Sequence, residues 1–181
     1  EERVGELDEY FIQSEMVVFD KKTSQELQQV IDENPGVVID IVSEQIEVTD
    51  PIVLHGNTVI NGNGTGLHTE GVEYVFYAEG ADNIKISDIF INGGTEYGIY
   101  LAGCDRIKLT GNTIKGCGQK AISITGVSDG VIIRGNTICD NQSGAVYIAG
   151  SVTNGLIESN MIKNNHGNDS LASGIMMTDT M

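Results

Sequence analysis

The chain has 181 residues, of which 10 are basic and 26 acidic, for a net charge of −16. A field of that sign repels phosphate backbones and anionic headgroups, which excludes nucleic acid and membrane surfaces as natural partners. The length suits one domain with a single core, and no apolar run approaches the ~20 residues of a membrane-spanning helix.

Glycine is abundant at 23 residues and proline scarce at 2, with no collagen period, so the glycines read as many tight turns between short strands. The chain opens at Glu1 without a basic-then-apolar leader and is read as processed or excised. The three cysteines, Cys104, Cys117 and Cys139, are an odd number without metal-ligand spacing. That pattern argues against a disulfide framework and a metal centre, and for buried small side chains. No feature names a cofactor.

Residues 1–35 are read as an N-terminal segment carrying one short helix. Thr23-Ser24-Gln25-Glu26 fits a capping box, in which the Thr oxygen accepts from the amide three residues on and the Glu reaches back. Leu27, Val30 and Ile31 fall on one helical face, and Asn34-Pro35-Gly36 ends the run, which predicts an amphipathic helix over about 23–34. Short strands follow at 37–41, 46–48, 52–54 and 58–60.

From residue 74 onward the sequence repeats itself. The segments 84–91, 107–114, 131–138 and 155–162 align, and their final isoleucines (Ile91, Ile114, Ile138 and Ile162) are spaced by 23, 24 and 24 residues. A second family runs in step: Val75-Phe76-Tyr77-Ala78, Gly98-Ile99-Tyr100-Leu101, Ala121-Ile122-Ser123-Ile124, Ala145-Val146-Tyr147-Ile148 and Ile175-Met176-Met177. Apolar residues alternate within each unit, so the units are half-buried strands. A unit this small cannot bury its own face, and the repeats must stack on a shared core. Asn112, Asn136 and Asn160 occupy one stacked position, with Ile89 in their place one repeat earlier. They are read as a hydrogen-bonded ladder that tolerates left-handed backbone.

A leucine-rich repeat shares the pattern Ile107-x-Leu109-x-x-Asn112-x-Ile114. It needs an apolar residue where this chain has Cys104, Ser128 and Val152, and a helix or loop where this chain has the strand 121–124. The expected fold is therefore all-β, a right-handed parallel β-helix solenoid over 36–181 with a short N-terminal capping helix. The solenoid is expected to stop inside a fresh rung at 175–181, so that further rungs or self-association would cover its end.

Units such as Gly98-Ile99-Tyr100-Leu101 followed by Arg106-Ile107-Lys108-Leu109-Thr110-Gly111-Asn112-Thr113-Ile114 resemble the repeats of the pectate-lyase-like superfamily. The resemblance covers about 36–181, and the preceding helix resembles the cap of many β-helix polysaccharide lyases, epimerases and phage tailspikes. It implies a polysaccharide as partner and a location outside the cell or on a cell or virion surface. The chain has no Asp-Pro-His-Asp run, no Arg-x-Pro-x-x-Arg element and no Gly-Gly-x-Gly-x-Asp repeat.

Alternation sends Ile99 and Leu101 inward and Tyr100 outward, and by register Tyr77, Ser123, Tyr147 and Met176 share that outer column. Rings with a hydroxyl handle suit sugars, which offer apolar faces and polar rims, so Tyr77, Tyr100, Ser123 and Tyr147 are the candidate substrate-binding residues. Exposed tyrosines that merely favour strands are the plainer reading of the same column. Acid–base chemistry on a glycan needs a base, an acid or a neutralising cation within reach. Glu96, Lys120 and Asp140 flank the sheet and are the candidate catalytic groups. His166 and Asp169 join them because the turn 164–170 is about five residues longer than its neighbours, and protruding loops carry function. The column Asp82, Asp105 and Asp129 reads as turn formers. The leading reading is a carbohydrate-active β-helix of the lyase, epimerase or hydrolase kind. The alternative is a non-catalytic structural or receptor-binding module.

Overall fold

The structure, a computed structural model, describes residues 15–166 and 173–178. Its elements in chain order are β1 (Met16–Phe19), α1 (Ser24–Glu33), β2 (Val38–Ile41), β3 (Gln45–Glu47), β4 (Ile52–Val53), β5 (Val59–Asn61) and β6 (Gly66–His68). The regular rungs follow as β7 (Tyr74–Glu79), β8 (Ile84–Ser87), β9 (Phe90–Asn92), β10 (Tyr97–Ala102), β11 (Ile107–Thr110) and β12 (Thr113–Lys115). The last are β13 (Lys120–Asp129), β14 (Val131–Arg134), β15 (Thr137–Cys139), β16 (Gly144–Thr153), β17 (Leu156–Glu158), β18 (Met161–Lys163) and β19 (Ser173–Thr178).

Every third strand stacks in parallel on the last. The first sheet runs β1-β2-β5-β8-β11-β14-β17, the second β3-β6-β9-β12-β15-β18, and the third β4-β7-β10-β13-β16-β19. This is the solenoid that the 23–24-residue period predicts. Apolar residues, nearly all branched aliphatics, form its interior columns: Ile60, Ile86, Leu109 and Ile133 in the first sheet, Leu67, Ile91, Ile114 and Ile138 in the second, Phe76, Ile99, Ile122 and Val146 in the third. All are buried. Each contributes about 1.5–3 kcal/mol by leaving water, and Ile86→Ala would lose about 2–5 kcal/mol.

Three corners join the sheets, and each holds a column of left-handed residues. Between the first and second sheets these are Asp88, Gly111, Gly135 and Ser159, with φ from 55° to 67°. Between the second and third they are Gly93, Gly116, Asp140 and Asn164, and on the return Asn57, Asn83, Arg106, Gly130 and Asn154. The expected asparagine ladder stands one residue after the first column. Asn112 Oδ1 accepts from the Ile89 amide at 3.1 Å, Asn136 Oδ1 from the Asn112 amide at 2.9 Å, and Asn160 Oδ1 from the Asn136 amide at 2.9 Å. Each Nδ2 donates back to a carbonyl of an earlier rung: Ile86, Leu109 and Ile133. The left-handed conformation expected of these asparagines belongs instead to the residue before each, which is glycine at 111 and 135 and takes that conformation without strain.

A second ladder, which the sequence reading missed, links Cys117, Asn141 and Asn165 at the next corner: the Cys117 amide donates to Asn141 Oδ1 at 3.0 Å and the Asn141 amide to Asn165 Oδ1 at 3.2 Å. Asp82 and Asp105 do the same at the third corner, accepting from the amides of Asp105 and Asp129 at 3.0 and 2.8 Å. Those aspartates are turn structure, as their spacing suggests. All three cysteines are free and buried, and burial pushes the Cys117 thiol up to about 12.

The helix forms where expected, with Thr23 as its N-cap: Thr23 Oγ1 accepts from the Glu26 amide at 3.3 Å, and Glu26 Oε2 receives the Thr23 hydroxyl and the Lys22 amide. Leu27 and Ile31 are buried and Val30 packs beside them. The segment ahead of the helix adds a strand that the sequence reading did not assign, β1, paired with β2 from Met16↔Val38 to Phe19↔Ile41. The backbone of Lys22 and Thr23 then lies along β3, and α1 lies along β4, so this first turn covers the starting edge of all three sheets.

Candidate functional site: a tyrosine platform on the third sheet

The third sheet carries the candidate site because its strands begin with a local bend. In β7, Val75 and Phe76 are both buried; in β10, Gly98 and Ile99; in β13, Ala121 and Ile122; in β16, Ala145 and Val146. Two successive inward residues interrupt the alternation, so residues three apart emerge on the same outer side. Tyr74 therefore joins Tyr77, and Tyr97 joins Tyr100. The register stacks Tyr97 on Tyr74, Tyr100 on Tyr77, Ser123 on Tyr100, Tyr147 on Ser123 and Met176 on Tyr147.

Four half-buried rings thus share one patch. Tyr77 and Tyr100 lie 5.9 Å apart between centroids and within 3° of parallel, and Tyr74 and Tyr97 lie 5.9 Å apart at 11°. The diagonal and lateral pairs close to 5.1–5.6 Å, inside the range where aromatic pairs attract. Neighbouring polar groups hold the hydroxyls. Tyr77 donates to Glu79 at 2.8 Å, Tyr97 donates to Gln119 at 3.1 Å, and Tyr100 meets the Thr125 hydroxyl at 3.3 Å. Burial pushes the Tyr74 and Tyr97 hydroxyls up and the Glu96 carboxylate adds to both, while the bond to Glu79 raises Tyr77.

The next rung changes chemistry in both columns. Lys120 follows Tyr97 and Ser123 follows Tyr100. Lys120 is only 7% exposed, with its ammonium 3.0 Å from the Ser143 carbonyl and 5.6 Å from the Tyr147 ring centroid. Ser123 is fully buried between the tyrosines above and below, and its hydroxyl has no hydrogen-bond partner among the described residues. Beyond Tyr77 and Glu79, an open groove of about 520 Å³ runs over the return corner, lined by His55, Asn57, Asp82, Asn83 and Arg106.

With this coil and its stacked ladders in view, comparison with known families is decisive for the fold: residues 31–180 match the family described as right handed beta helix region. The chain belongs to that right-handed β-helix family. Neither a curated protein nor a solved structure matches it.

Not all of the expected site residues of this β-helix protein share the platform. Glu96, Lys120, Tyr77, Tyr100, Ser123 and Tyr147 do. Asp140 is a left-handed corner residue whose partners belong to the second-sheet side. The Cys139 thiol holds its carboxyl below the usual range against the opposing effect of burial, and Asn164, Lys163 and Lys115 act in the same direction as the thiol. His166 is exposed, with Nδ1 2.8 Å from the Asn164 carbonyl, and Asp169 lies outside the described residues. Among the described residues, no three His, Cys, Asp or Glu side chains gather where a metal ion would fit.

The sequence reading missed Tyr74, Tyr97, Glu73 and Glu79. The signal for the tyrosines was present: Tyr-x-x-Tyr recurs at 74–77 and 97–100, 23 residues apart. Strict alternation hid it, since residues three apart in an unbent strand face opposite ways.

Proposed function

We propose that this β-helix protein binds a polysaccharide along the outer face of its third sheet, as a surface or extracellular glycan-binding module. The observation that carries the reading is the gathering of Tyr74, Tyr77, Tyr97 and Tyr100 into one half-exposed patch with centroids 5.1–5.9 Å apart. The hydroxyls of Tyr77, Tyr97 and Tyr100 are hydrogen-bonded, so little ordering is lost when a ligand settles. Tyr147 extends the surface two rungs further, about 10 Å along the coil.

Binding fits these groups better than turnover. General acid–base work needs a proton donor and acceptor facing one reacting atom, whereas Lys120 is buried against the Ser143 carbonyl and the Tyr147 ring, and Asp140 makes its contacts on the second-sheet side.

The test is glycan affinity across a panel for Tyr77→Ala, Tyr100→Ala and Phe90→Ala, with urea midpoints recorded for each. Phe90 is a half-buried aromatic on the outer face of the second sheet, beneath Lys115. Each tyrosine variant is expected to weaken binding about 2–10-fold, from the ~0.5–1.5 kcal/mol of an aromatic contact, and Phe90→Ala to leave it unchanged. Parent-like binding by both folded tyrosine variants would overturn the platform. Release of reducing ends or unsaturated sugar from any bound glycan would replace the binding reading with catalysis.

A further inference from the structure

We propose that the glycan held by the tyrosine platform carries free, protonated amino groups, a glucosamine-type polycation, and that uronate chains are rejected. The inference rests on reading the platform as a glycan surface and adds the charge of the ligand. Carboxylates precede both tyrosine rungs, and one follows the first. Glu73 and Glu96 immediately precede Tyr74 and Tyr97 and are stacked, with the Glu96 amide donating to the Glu73 carbonyl at 3.1 Å. At the other end of the strand Glu79 is exposed and accepts the Tyr77 hydroxyl at 2.8 Å. Two cations beside the patch are engaged elsewhere. The Lys120 ammonium is turned to the Ser143 carbonyl and the Tyr147 ring, one rung on, and Arg106 at the adjoining corner pairs with Asp82 at 3.0 Å.

A sugar ammonium laid on these rungs meets the electron-rich ring faces that attract cations and three carboxylates within the same patch. A uronate would bring its charge against those carboxylates while Lys120 and Arg106 already hold other partners, and like charges at short range oppose binding. The net charge of −16 adds long-range attraction for a polycation. A neutral sugar gains the ring contact alone.

The experiment titrates the full chain, just below neutral pH, with three probes of equal length: a chitosan oligosaccharide, its fully N-acetylated counterpart and an oligogalacturonate. The free-amine probe is expected to bind at least about tenfold tighter than the acetylated one at low salt, with the advantage shrinking as salt screens it. The uronate is expected not to bind. A Glu73→Gln/Glu96→Gln variant should lose most of the amine preference and keep its acetylated-sugar affinity. Glu44→Gln/Glu47→Gln, an equal charge change beside the second sheet, should keep the preference, and Tyr77→Ala/Tyr100→Ala should weaken both amine and acetylated probes.

Equal or tighter binding of the acetylated probe, binding of the uronate, or equal effects of the two glutamine pairs would overturn the inference. If binding remains tyrosine-dependent but indifferent to charge, only this inference falls. If no probe depends on the tyrosines, the platform reading falls with it.

Discussion

Left-handed backbone is the residue-scale feature on which the coil turns, and its cost depends on what occupies it. A side chain with a Cβ in that region carries about 1–2 kcal/mol of strain that glycine avoids. In the first corner column, Gly111 and Gly135 are free of it while Ser159, exposed at φ 55°, is not. Nothing lies within 4 Å of a Cβ added to Gly135, so a substitution there is resisted by conformation and not by packing. We expect Gly135→Ala to lower the urea-derived stability by about 1–2 kcal/mol and Ser159→Gly to raise it by up to about 1 kcal/mol. Opposite signs for the two changes are the required result; a neutral Gly135→Ala would remove strain from the account. The asparagines beside this column act by reach and the glycines by permissiveness. The sequence shows both residue types at the corner but not which of the two takes the left-handed place.

At the scale of elements, helix α1 stands in for a strand. Gln28 turns its amide toward the free edge of β4, accepting from the Val53 amide at 2.7 Å and donating to the Val53 carbonyl at 3.0 Å, the pair of bonds that another strand would supply. Its Nε2 also donates to Asp32 at 2.8 Å, which together with His55 holds the Asp32 carboxyl below its usual range. An edge left open invites pairing with another chain. Gln28→Leu is expected to cost about 1–2 kcal/mol and to increase aggregation on storage, while Gln29→Leu, whose amide donates to Glu33 on the helix surface, should change stability by less than about 0.5 kcal/mol. Equal urea midpoints and equal light scattering for the two variants would show that the helix covers the edge without Gln28. The helix itself was legible from Thr23 to Asn34; its use of a glutamine side chain as a strand was not, because that contact lies 25 residues away in sequence.

For the whole molecule, a stack in which each rung touches only its neighbours has local stability that follows local burial. The interior residues of β8, β11 and β14 are almost fully buried, whereas β17 and β18 are only partly so, and in β19 Ile175 and Met177 are 44% and 65% exposed although their register partners Val146 and Ile148 face the core. Native-state hydrogen exchange should therefore be slowest at the amides of β8, β11 and β14 and orders of magnitude faster in β17–β19. Uniform protection over all rungs would mean that the coil opens only as one unit.

The division between sequence and tertiary structure follows from range. By itself the sequence determined the period, the three parallel sheets, the inward aliphatic columns, the first asparagine ladder and the outer column from Tyr77 to Met176. All of these depend on a residue's place within one repeat and on alternation within one regular strand. Tertiary structure alone decided that Tyr74 and Tyr97 join the platform, that Lys120 turns along the stack to a carbonyl 23 residues away, that Asp140 keeps to the second-sheet side, and that Glu73 and Glu79 join Glu96 around the rings. The reason is physical: these placements depend on how the corner bends the first residues of a strand and on which groups the rungs above and below bring within reach. Both are products of the stacked coil, and neither is encoded in any single repeat.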